Sequence, residues 1–307
     1  MIGKLSRNLA TLWAGIALAA ALALGPASAK EPLPALSGST ITGGTIEHVV
    51  QPGEHLGLIS ARYGVSWRLL AQDNHLTDTD LLQPGQVVAV DSRHIVPPAL
   101  ADGIVINLPQ RMLFHFVGGA LRAAYPVGLG RPSWATPGGS FTVVDLQQDK
   151  TWYVPQSIQE EMRREGKLVL TEVPPGPNNP LGRHWIGLTL PAIGIHGTIA
   201  PSSVYSFRSH GCIRLHPDDV ADLFARVNIG TTGEMIYYPL LLAQLPDGRV
   251  FAEIHPDIYR RGVQAEAAFA QLISGRGLTY AIDPGKLAAA IRARDGIARD
   301  VTMGSKQ

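Results

Sequence analysis

Short apolar runs separated by turn residues constrain the fold of this chain more than any other feature. Between residues 102 and 238 the runs recur at 104–108, 112–117, 123–129, 140–145, 185–190, 194–196 and 234–238. Runs of this length and spacing predict the strands of a sandwich or barrel-like sheet. Two helices are predicted among them, at 158–166 and at 217–227, where Pro-Asp-Asp favours a helix N-terminus. The sequence therefore predicts a mainly β domain over 102–238.

The first 29 residues have the pattern of a secretory signal. Lys4 and Arg7 precede an apolar run at 9–24, and an Ala-Ser-Ala cleavage motif ends at Ala29. The alternative is a retained membrane anchor, but the run is short for a span, which needs about 20 apolar residues. We therefore predict that 1–29 is removed and that the mature chain is exported to the periplasm.

The balance of basic and acidic residues indicates whether a nucleic acid is an expected partner. The chain has 26 Lys and Arg against 25 Asp and Glu, and the part that follows the predicted signal has 24 against 25. A nucleic-acid-binding domain needs an excess of basic residues to neutralise phosphates. We therefore expect no nucleic-acid partner.

The sequence pattern of residues 46–92 predicts a compact β-α-α-β unit. A strand at 46–50 and a helix at 56–63 are followed by Gly64, which favours the end of a helix. Ser66 can cap a second helix, and the unit closes with a strand at 87–90.

This unit resembles the LysM module. The matching stretches are residues 49–54, 59–65 and 82–86. The resemblance implies binding to the glycan of peptidoglycan or chitin; a small packing unit without a ligand is the alternative. His55 departs from the Thr or Ser that is usual after the acidic residue.

Cys212 is the only cysteine in the chain. A single cysteine in an oxidising compartment cannot form a disulfide within its own chain. A thiol needs a base or a positive charge nearby to become the nucleophilic thiolate. His196 can supply that base from an adjacent strand, and His210 shares a face with Cys212 if the segment is extended. Gly211 frees the backbone so that nearby N–H groups can point at an oxyanion.

Two other interpretations of this cluster stay open. Cys212 can be a small buried apolar residue, and the histidines can be structural. A metal site built from His196, His210, Cys212 and His216 is the third interpretation, and it lacks a tight ligand pair such as C-x-x-C. We expect no metal and no cofactor.

The segment from His196 to Cys212 resembles the YkuD-type L,D-transpeptidase domain. That family has a His, then roughly fifteen residues, then Ser/Thr-His-Gly-Cys, which is Ser209 to Cys212 here. Further matching stretches lie at 136–141, 175–182 and 195–198. The match covers about 102–238 and is similar to a periplasmic subgroup with a LysM unit in front and an extra C-terminal piece.

The resemblance implies a reaction and roles for individual residues. Cys212 attacks the carbonyl of the third residue of a peptidoglycan stem peptide and releases D-Ala. His196 is the base, oriented by a backbone carbonyl, and His210 assists or shapes the pocket. The amides of Gly211 and Cys212 hold the oxyanion.

Substrate contacts follow from the same resemblance. Arg214 and Arg208 can clamp substrate carboxylates, while Tyr205 and Ser209 line the site. Many family members have Asn in place of Arg214. The acyl acceptor is an amine of a second stem peptide or of an outer-membrane lipoprotein.

Two alternative functions remain at this stage. With water as acceptor, the same site is an L,D-carboxypeptidase or a hydrolase that releases a wall-linked protein. The second alternative is a wall-binding protein without activity.

The remaining segments complete the predicted organisation. Residues 30–45 are predicted to form a linker, and residues 148–180 are predicted to form a lid over the active-site cleft. The segment 239–307 reads as a helical C-terminal extension, with helices at 263–274 and 284–294. The expected fold is mainly β: a sandwich or barrel-like catalytic domain with a βααβ unit before it and this extension after it.

Overall fold

The computed structural model describes residues 36–38, 40–77 and 81–304. The predicted signal peptide lies outside these residues. No helix within the described ranges is long and apolar enough to cross a membrane.

The strands are β1 (Leu36–Gly38), β2 (Ile41–Thr42), β3 (Thr45–Val49), β4 (Val87–Asp91), β5 (His94–Ile95), β6 (Gly103–Asn107), β7 (Met112–Val117), β8 (Ala120–Pro126), β9 (Leu129–Gly130), β10 (Gly139–Gln148), β11 (Trp152–Tyr153), β12 (Glu172–Val173), β13 (His184–Leu188), β14 (Gly194–His196), β15 (Phe207–Ser209), β16 (Ile213–Arg214), β17 (Thr232–Ile236), β18 (Leu240–Gln244), β19 (Val250–Ile254) and β20 (Arg299–Asp300). The α-helices are α1 (Leu56–Tyr63), α2 (Trp67–Asp73), α3 (Gln156–Arg164), α4 (Pro217–Arg226), α5 (Ala265–Gly275) and α6 (Pro284–Ala293). Short 3₁₀ helices span Pro132–Trp134 and Pro201–Ser203.

The N-terminal unit has the predicted β-α-α-β order. Strands β3 and β4 pair antiparallel, and α1 and α2 lie between them in the chain. Gly64 ends α1 at φ 69°, and its N–H donates to Ser60 O at 3.0 Å, which is a left-handed C-cap. His55 caps the other end, because its Nδ1 accepts from Gly57 N at 3.1 Å. The residue that departs from the family pattern therefore still serves as the N-cap. Ser66 makes no side-chain capping bond.

The 102–238 domain is built on one mixed sheet with the strand order β16-β14-β13-β10-β17-β6-β7-β8. Two adjacent pairs are parallel, β14 with β16 and β6 with β17. Strand β6 is buried along its whole length, so both faces of the sheet are covered there. The mainly β prediction is confirmed, and each predicted run coincides with a strand to within a few residues.

The C-terminal extension contains more strand than the sequence predicted. Its helices α5 and α6 are present, but they pack on a four-stranded sheet of order β1-β18-β19-β20. Strand β1 comes from the stretch predicted to be a linker and pairs parallel with β18. An isolated three-residue strand has no periodicity of its own, so only its partner strand reveals it. The sequence predicted the two helices and a hairpin-like turn at 246–248, which joins β18 to β19, but it predicted neither this sheet nor a strand within the linker.

A buried carboxylate, Glu253 on β19, lies where the three parts of the chain meet. Its oxygens accept from His94 Nδ1 at 2.8 Å, from Ile95 N at 2.5 Å and from His255 Nε2 at 2.8 Å. Gln110, in the β6–β7 turn of the large sheet, donates to the same carboxylate at 3.0 Å. Glu253 is fully buried, and burial alone raises the pKa of a carboxyl. His94 and His255 outweigh that effect and bring the pKa of Glu253 down to about 2.

His94 extends this network to the N-terminal unit. Its Nε2 donates to Gly64 O, the C-cap of α1, at 2.8 Å. Both ring nitrogens of His94 therefore face oxygen atoms, the Glu253 carboxylate on one side and the Gly64 carbonyl on the other. The result is a buried ion pair that ties α1, the large sheet and the C-terminal sheet to one point. Ile297 of the extension also packs in the hydrophobic core of the N-terminal unit.

Removing the buried carboxylate should destabilise the whole described fold. Glu253→Ala leaves the buried donors of His94, Ile95 and His255 without their acceptor, and breaking a buried ion pair typically costs about 3–5 kcal/mol of unfolding free energy. Because the folded-state pKa of Glu253 is lowered, the loss should be complete above pH 4.5 and should shrink as pH falls toward 2. Urea unfolding at several pH values measures both effects.

The matched control is Glu234→Ala, an exposed glutamate on β17. We expect its unfolding free energy to stay within about 0.5 kcal/mol of the wild type. A Glu253→Ala protein as stable as this control would contradict the role given to the ion pair.

Candidate active site

His196 is a buried imidazole on β14, between β13 and β16 in the sheet. Its Nδ1–H donates to the carbonyl oxygen of Gly197 at 2.6 Å, which leaves the lone pair on Nε2. Burial lowers the pKa of His196 to about 4, and the charge of Arg214 acts in the same direction. The imidazole is therefore neutral at neutral pH and oriented as a base.

Cys212 immediately precedes β16, which pairs parallel with β14 so that His196 lies opposite Arg214. The thiol is half-buried, and its Sγ lies 3.5 Å from Ala192 O. Burial raises the pKa of Cys212, while a hydrogen bond from the Gly194 backbone and the charge of Arg214 lower it, and the net shift is upward. The sheet register thus brings a thiol, a neutral imidazole and a guanidinium into one neighbourhood.

Trp185 on β13 supports His196 from the side opposite to β16. The two residues are register partners, and their rings stack with centroids 5.9 Å apart at 21°. The indole also covers Gly194, where a Cβ would meet the ring at 2.4 Å. Sequence reasoning placed Trp185 in a strand but missed this role, because only the β13–β14 register shows it.

The backbone before the thiol is held by Ser209, whose side chain is buried. Its hydroxyl donates to Cys212 O at 2.6 Å and accepts from Gly211 N at 3.2 Å. The Gly211 N–H is therefore engaged, which contradicts its predicted role as an oxyanion donor. Of the predicted pair, the Cys212 N–H remains as the candidate.

Gly211 adopts φ 108°, a conformation that other residues rarely reach. The segment from His210 to Cys212 is therefore not extended, and the two-residue spacing does not place both side chains on one face. His210 instead contacts Glu161 of α3, with its Nε2 2.5 Å from a carboxylate oxygen. It also packs edge-on against Trp134.

Glu161 joins α3 to the Cys212 segment. Its second oxygen accepts from Arg131 Nη2 at 2.6 Å, and the hydrogen bonds from Arg131 and His210 lower the pKa of Glu161 to about 2. Helix α3 lies within the predicted lid at 148–180 and has no buried residue of its own. This Glu161–His210–Arg131 contact therefore anchors the helix beside the site, and the sequence analysis did not single out Glu161.

Arg214 has an available guanidinium. Its backbone exchanges two hydrogen bonds with Gly128, each 2.8 Å long. Its side chain is half-buried, which lowers its pKa, and it forms no ion pair with any residue in the described ranges. A guanidinium in this state is suited to bind a carboxylate.

Tyr205 and Arg208 were predicted to contact the substrate, and their surroundings in the structure differ from that expectation. Tyr205 is only 4% exposed, and Arg111 stacks on its ring at 3.9 Å, close to the His94 end of the buried ion pair. Arg208 is exposed and lines a cleft shared with α1 and α2. The pairing of β15 with β9 is irregular between Phe207 and Ser209, and in this stretch Arg208 is exposed while Ser209 is buried. The burial of Tyr205 contradicts its predicted place in the lining of the site, whereas the carboxylate clamp by Arg208 stays a prediction.

The C-terminal extension braces the site through Tyr259. Its hydroxyl donates to Gly130 O at 2.7 Å and accepts from Thr136 N at 3.3 Å. Thr136 in turn donates from its hydroxyl to Gly211 O at 2.9 Å, next to Cys212. A chain of hydrogen bonds therefore runs from the extension to the thiol-bearing segment.

Metal ligation is not supported in the described part of the chain, where no group of three or more His, Cys, Asp or Glu side chains is arranged to hold an ion. His216, a candidate ligand from the sequence, is instead the N-cap of α4 and accepts from Asp218 N at 3.4 Å.

Comparison with known proteins agrees with this architecture. The YkuD model, an L,D-transpeptidase catalytic domain, matches residues 101–236, and the LysM domain model matches residues 48–91.

Three curated relatives align with most of the chain. "Probable L,D-transpeptidase YcfS" of Escherichia coli K12 is 34% identical over 78% of this chain and 76% of its own length. "Probable L,D-transpeptidase ErfK/SrfK" of Salmonella typhimurium is 32% identical over 76% and 74%. "Probable L,D-transpeptidase YbiS" of Escherichia coli K12 is 30% identical over 76% and 78%. The chain belongs to the L,D-transpeptidase family and carries a LysM domain in front of its YkuD catalytic domain.

Loss of the Tyr259 hydroxyl should loosen the Cys212 segment. Tyr259→Phe leaves Gly130 O and Thr136 N without their partner, and each unsatisfied buried group costs about 1–3 kcal/mol. We expect a lower unfolding free energy by denaturant titration. Tyr280→Phe is the control, because Tyr280 is 92% exposed on the same extension. If the two variants had equal unfolding free energies, the proposed role of Tyr259 in supporting the site would be contradicted.

Proposed function

We propose that this chain is a periplasmic peptidoglycan L,D-transpeptidase in which Cys212 is the nucleophile. The observation that carries the proposal is the parallel pairing of β14 with β16, which sets His196 opposite Arg214, two residues after Cys212 in the chain. Family membership supports the reaction class, and the strand register supports the choice of Cys212 and His196 as the reacting pair.

The first half-reaction forms an acyl-enzyme. The Cys212 sulfur attacks the carbonyl carbon of the third stem residue, and His196 Nε2 takes the thiol proton. The Cys212 N–H is the proposed donor to the oxyanion. As the C–N bond breaks, the imidazolium returns the proton to the departing amine, and D-Ala leaves.

The second half-reaction transfers the acyl group. An acceptor amine attacks the thioester, the C–S bond breaks, and the Cys212 sulfur is regenerated as His196 relays the proton. An amine from a second stem peptide gives a 3-3 cross-link, and an amine from an outer-membrane lipoprotein gives attachment of that protein to the wall. Water as acceptor would give the carboxypeptidase reaction.

The resting charge state follows from the pKa directions. The pKa of Cys212 lies above its usual value and that of His196 is about 4. Neutral thiol and neutral imidazole therefore coexist at neutral pH, and proton transfer accompanies attack. Arg214 serves two roles in this scheme: it stabilises the developing thiolate, and it pairs with a carboxylate of the stem peptide.

A carbapenem tests the nucleophile directly. Incubation of the mature chain should add one carbapenem mass to the protein, because a β-lactam carbonyl acylates the activated thiol. Cys212→Ala should show no adduct, and His196→Ala should acylate at least a hundredfold more slowly, within the range for loss of a general base. Intact-mass spectrometry measures all three. A folded wild-type protein without an adduct would favour a wall-binding protein with an inert cysteine.

The pH dependence of alkylation tests Arg214. Iodoacetamide reacts with the thiolate, so the rate follows the pKa of Cys212. Arg214→Gln removes a charge that lowers this pKa, and each unit of increase slows alkylation near neutral pH about tenfold. Arg122→Gln is the control, on an exposed position of β8. Superimposable pH profiles for the wild type and Arg214→Gln would exclude this electrostatic role.

A further inference from the structure

The turn 190–193 lies between β13 and β14 and contacts the thiol of Cys212. The carbonyl oxygen of Ala192 in this turn accepts a hydrogen bond from the thiol, with Sγ and the oxygen 3.5 Å apart. In the part of the chain that the structure describes, no hydrogen bond joins this thiol to His196. The thiol proton is therefore directed to the turn and not to the proposed base.

The backbone of this turn is unusual at Ala192. Ile193 N donates to Leu190 O at 3.2 Å, Pro191 occupies the second position, and Ala192 in the third position has φ 60°. Proline followed by a residue at positive φ is the pattern of a type II turn, whose third position is usually glycine. An alanine there is held in the left-handed region, which residues with a Cβ rarely adopt. The place of the Ala192 carbonyl therefore depends on a conformation that some side chains permit and others do not.

Two packing contacts fix the end of the turn against the thiol-bearing segment. A Cβ added to Gly211 would lie 3.0 Å from Cδ1 of Ile193, so this isoleucine packs on the backbone next to Cys212. The following residue, Gly194, lies against the indole of Trp185, where an added Cβ would meet the ring at 2.4 Å. Because this end of the turn is packed on both sides, its carbonyl is kept within hydrogen-bonding distance of the sulfur.

The Ala192 carbonyl favours the protonated form of the thiol. A hydrogen bond from S–H to an acceptor stabilises the neutral thiol, and the negative end of a carbonyl dipole repels a thiolate. Burial also raises the pKa of Cys212, so the two effects act in the same direction. Since the thiolate is the nucleophile, attack requires the sulfur to leave Ala192 O for Nε2 of His196.

We propose that the turn 190–193 is a positioning element that keeps Cys212 protonated at rest, with Ala192 O competing with His196 Nε2 for the thiol proton. The nucleophile forms when the side chain turns from the carbonyl to the imidazole: the S–H bond breaks, and an N–H bond forms on Nε2. The inference rests on the proposed function for the role of Cys212, and it adds a resting state in which that nucleophile is inactive.

The charges around the sulfur allow the turn to be tested by itself. Arg214 on β16 is the charged group that acts on the Cys212 thiol. His196 on β14 is neutral at neutral pH, because burial lowers its pKa to about 4. The turn 190–193 has no titratable side chain. A neutral substitution within it therefore changes the thiol through the carbonyl and adds or removes no charge.

The pH profile of iodoacetamide alkylation of the full mature chain tests the resting state. Ala192→Val places a β-branched side chain at positive φ, which strains the backbone, so the turn changes conformation and withdraws its carbonyl. Ala192 is exposed, so the larger side chain itself has room. We expect the profile to move to lower pH and alkylation near neutral pH to become about tenfold faster, because the thiol loses the acceptor that favours its protonated form.

Two further variants grade the effect. Ala192→Asn should accelerate alkylation less than about twofold, because asparagine tolerates the left-handed region and keeps the turn. Pro191→Gly loosens the same turn by releasing the fixed φ of proline, at a position that is also exposed. It should shift the profile in the same direction as Ala192→Val, and it provides the test if the valine variant does not fold.

Arg294→Val is the matched control for backbone strain. Arg294 also has positive φ, at 46°, and is exposed at the C-terminal end of α6. Valine there should lower the melting temperature through the same strain and leave the alkylation profile of Cys212 unchanged. Melting temperatures of all variants confirm that each profile is measured on folded protein.

Three outcomes would overturn the proposal. The first is a profile that stays in place or moves to higher pH in folded Ala192→Val, or in Pro191→Gly if the valine variant is unfolded. The second is an equal acceleration in Ala192→Asn and Ala192→Val, which would separate the effect from the turn conformation. The third is an equal shift in Arg294→Val, which would assign the effect to general destabilisation.

Alkylation needs no turnover, so its result is independent of the proposed enzymatic function. A wild-type chain that takes up no carbapenem, together with faster alkylation of Ala192→Val, would contradict the transpeptidase proposal and still support the resting state of Cys212. Carbapenem uptake by the wild type with identical alkylation profiles for both proteins would support the transpeptidase and overturn the resting state.

Discussion

The ion pair between Glu253 and His94 is the interaction on which the rest of the structure depends. The pair is buried: Gln110 of the β6–β7 turn and His255 beside the C-terminal sheet donate to Glu253, and His94 donates to the Gly64 carbonyl at the end of α1. A buried charge that loses its partners destabilises the fold, because its desolvation is then no longer compensated. The network therefore links the N-terminal unit, the large sheet and the C-terminal sheet through one buried cluster of side chains.

The candidate active site depends on a second constraint, the register of short strands. The β14–β16 pairing aligns His196 with Arg214, and Trp185 fixes the imidazole from β13. Two supports from outside the sheet hold the segment before Cys212: Glu161 on α3 and Tyr259 on the extension. The C-terminal extension thus supports the catalytic domain, and its removal would withdraw the Tyr259 hydrogen bonds to Gly130 O and Thr136 N, of which Thr136 in turn holds Gly211 O.

Much of this organisation could be predicted from sequence patterns. Helix α1, its Gly64 cap and strand β14 lie where periodicity and turn residues indicated, because local preferences and tertiary packing agree there. Strand β1 could not be predicted, since three residues carry no period. The role of Trp185 could not be predicted either, since it depends on a cross-strand partner eleven positions away in the chain.

The sequence by itself determined the residue types and the order of the elements: one cysteine, a histidine sixteen positions before it, and strands separated by glycine and proline turns. Only the tertiary structure decided which side chains meet. It turned His210 toward Glu161, buried Tyr205, and moved Arg208 into the cleft with α1 and α2. The physical reason is that a glycine at positive φ and an irregular strand pairing redirect side chains locally, and long-range packing then selects their partners.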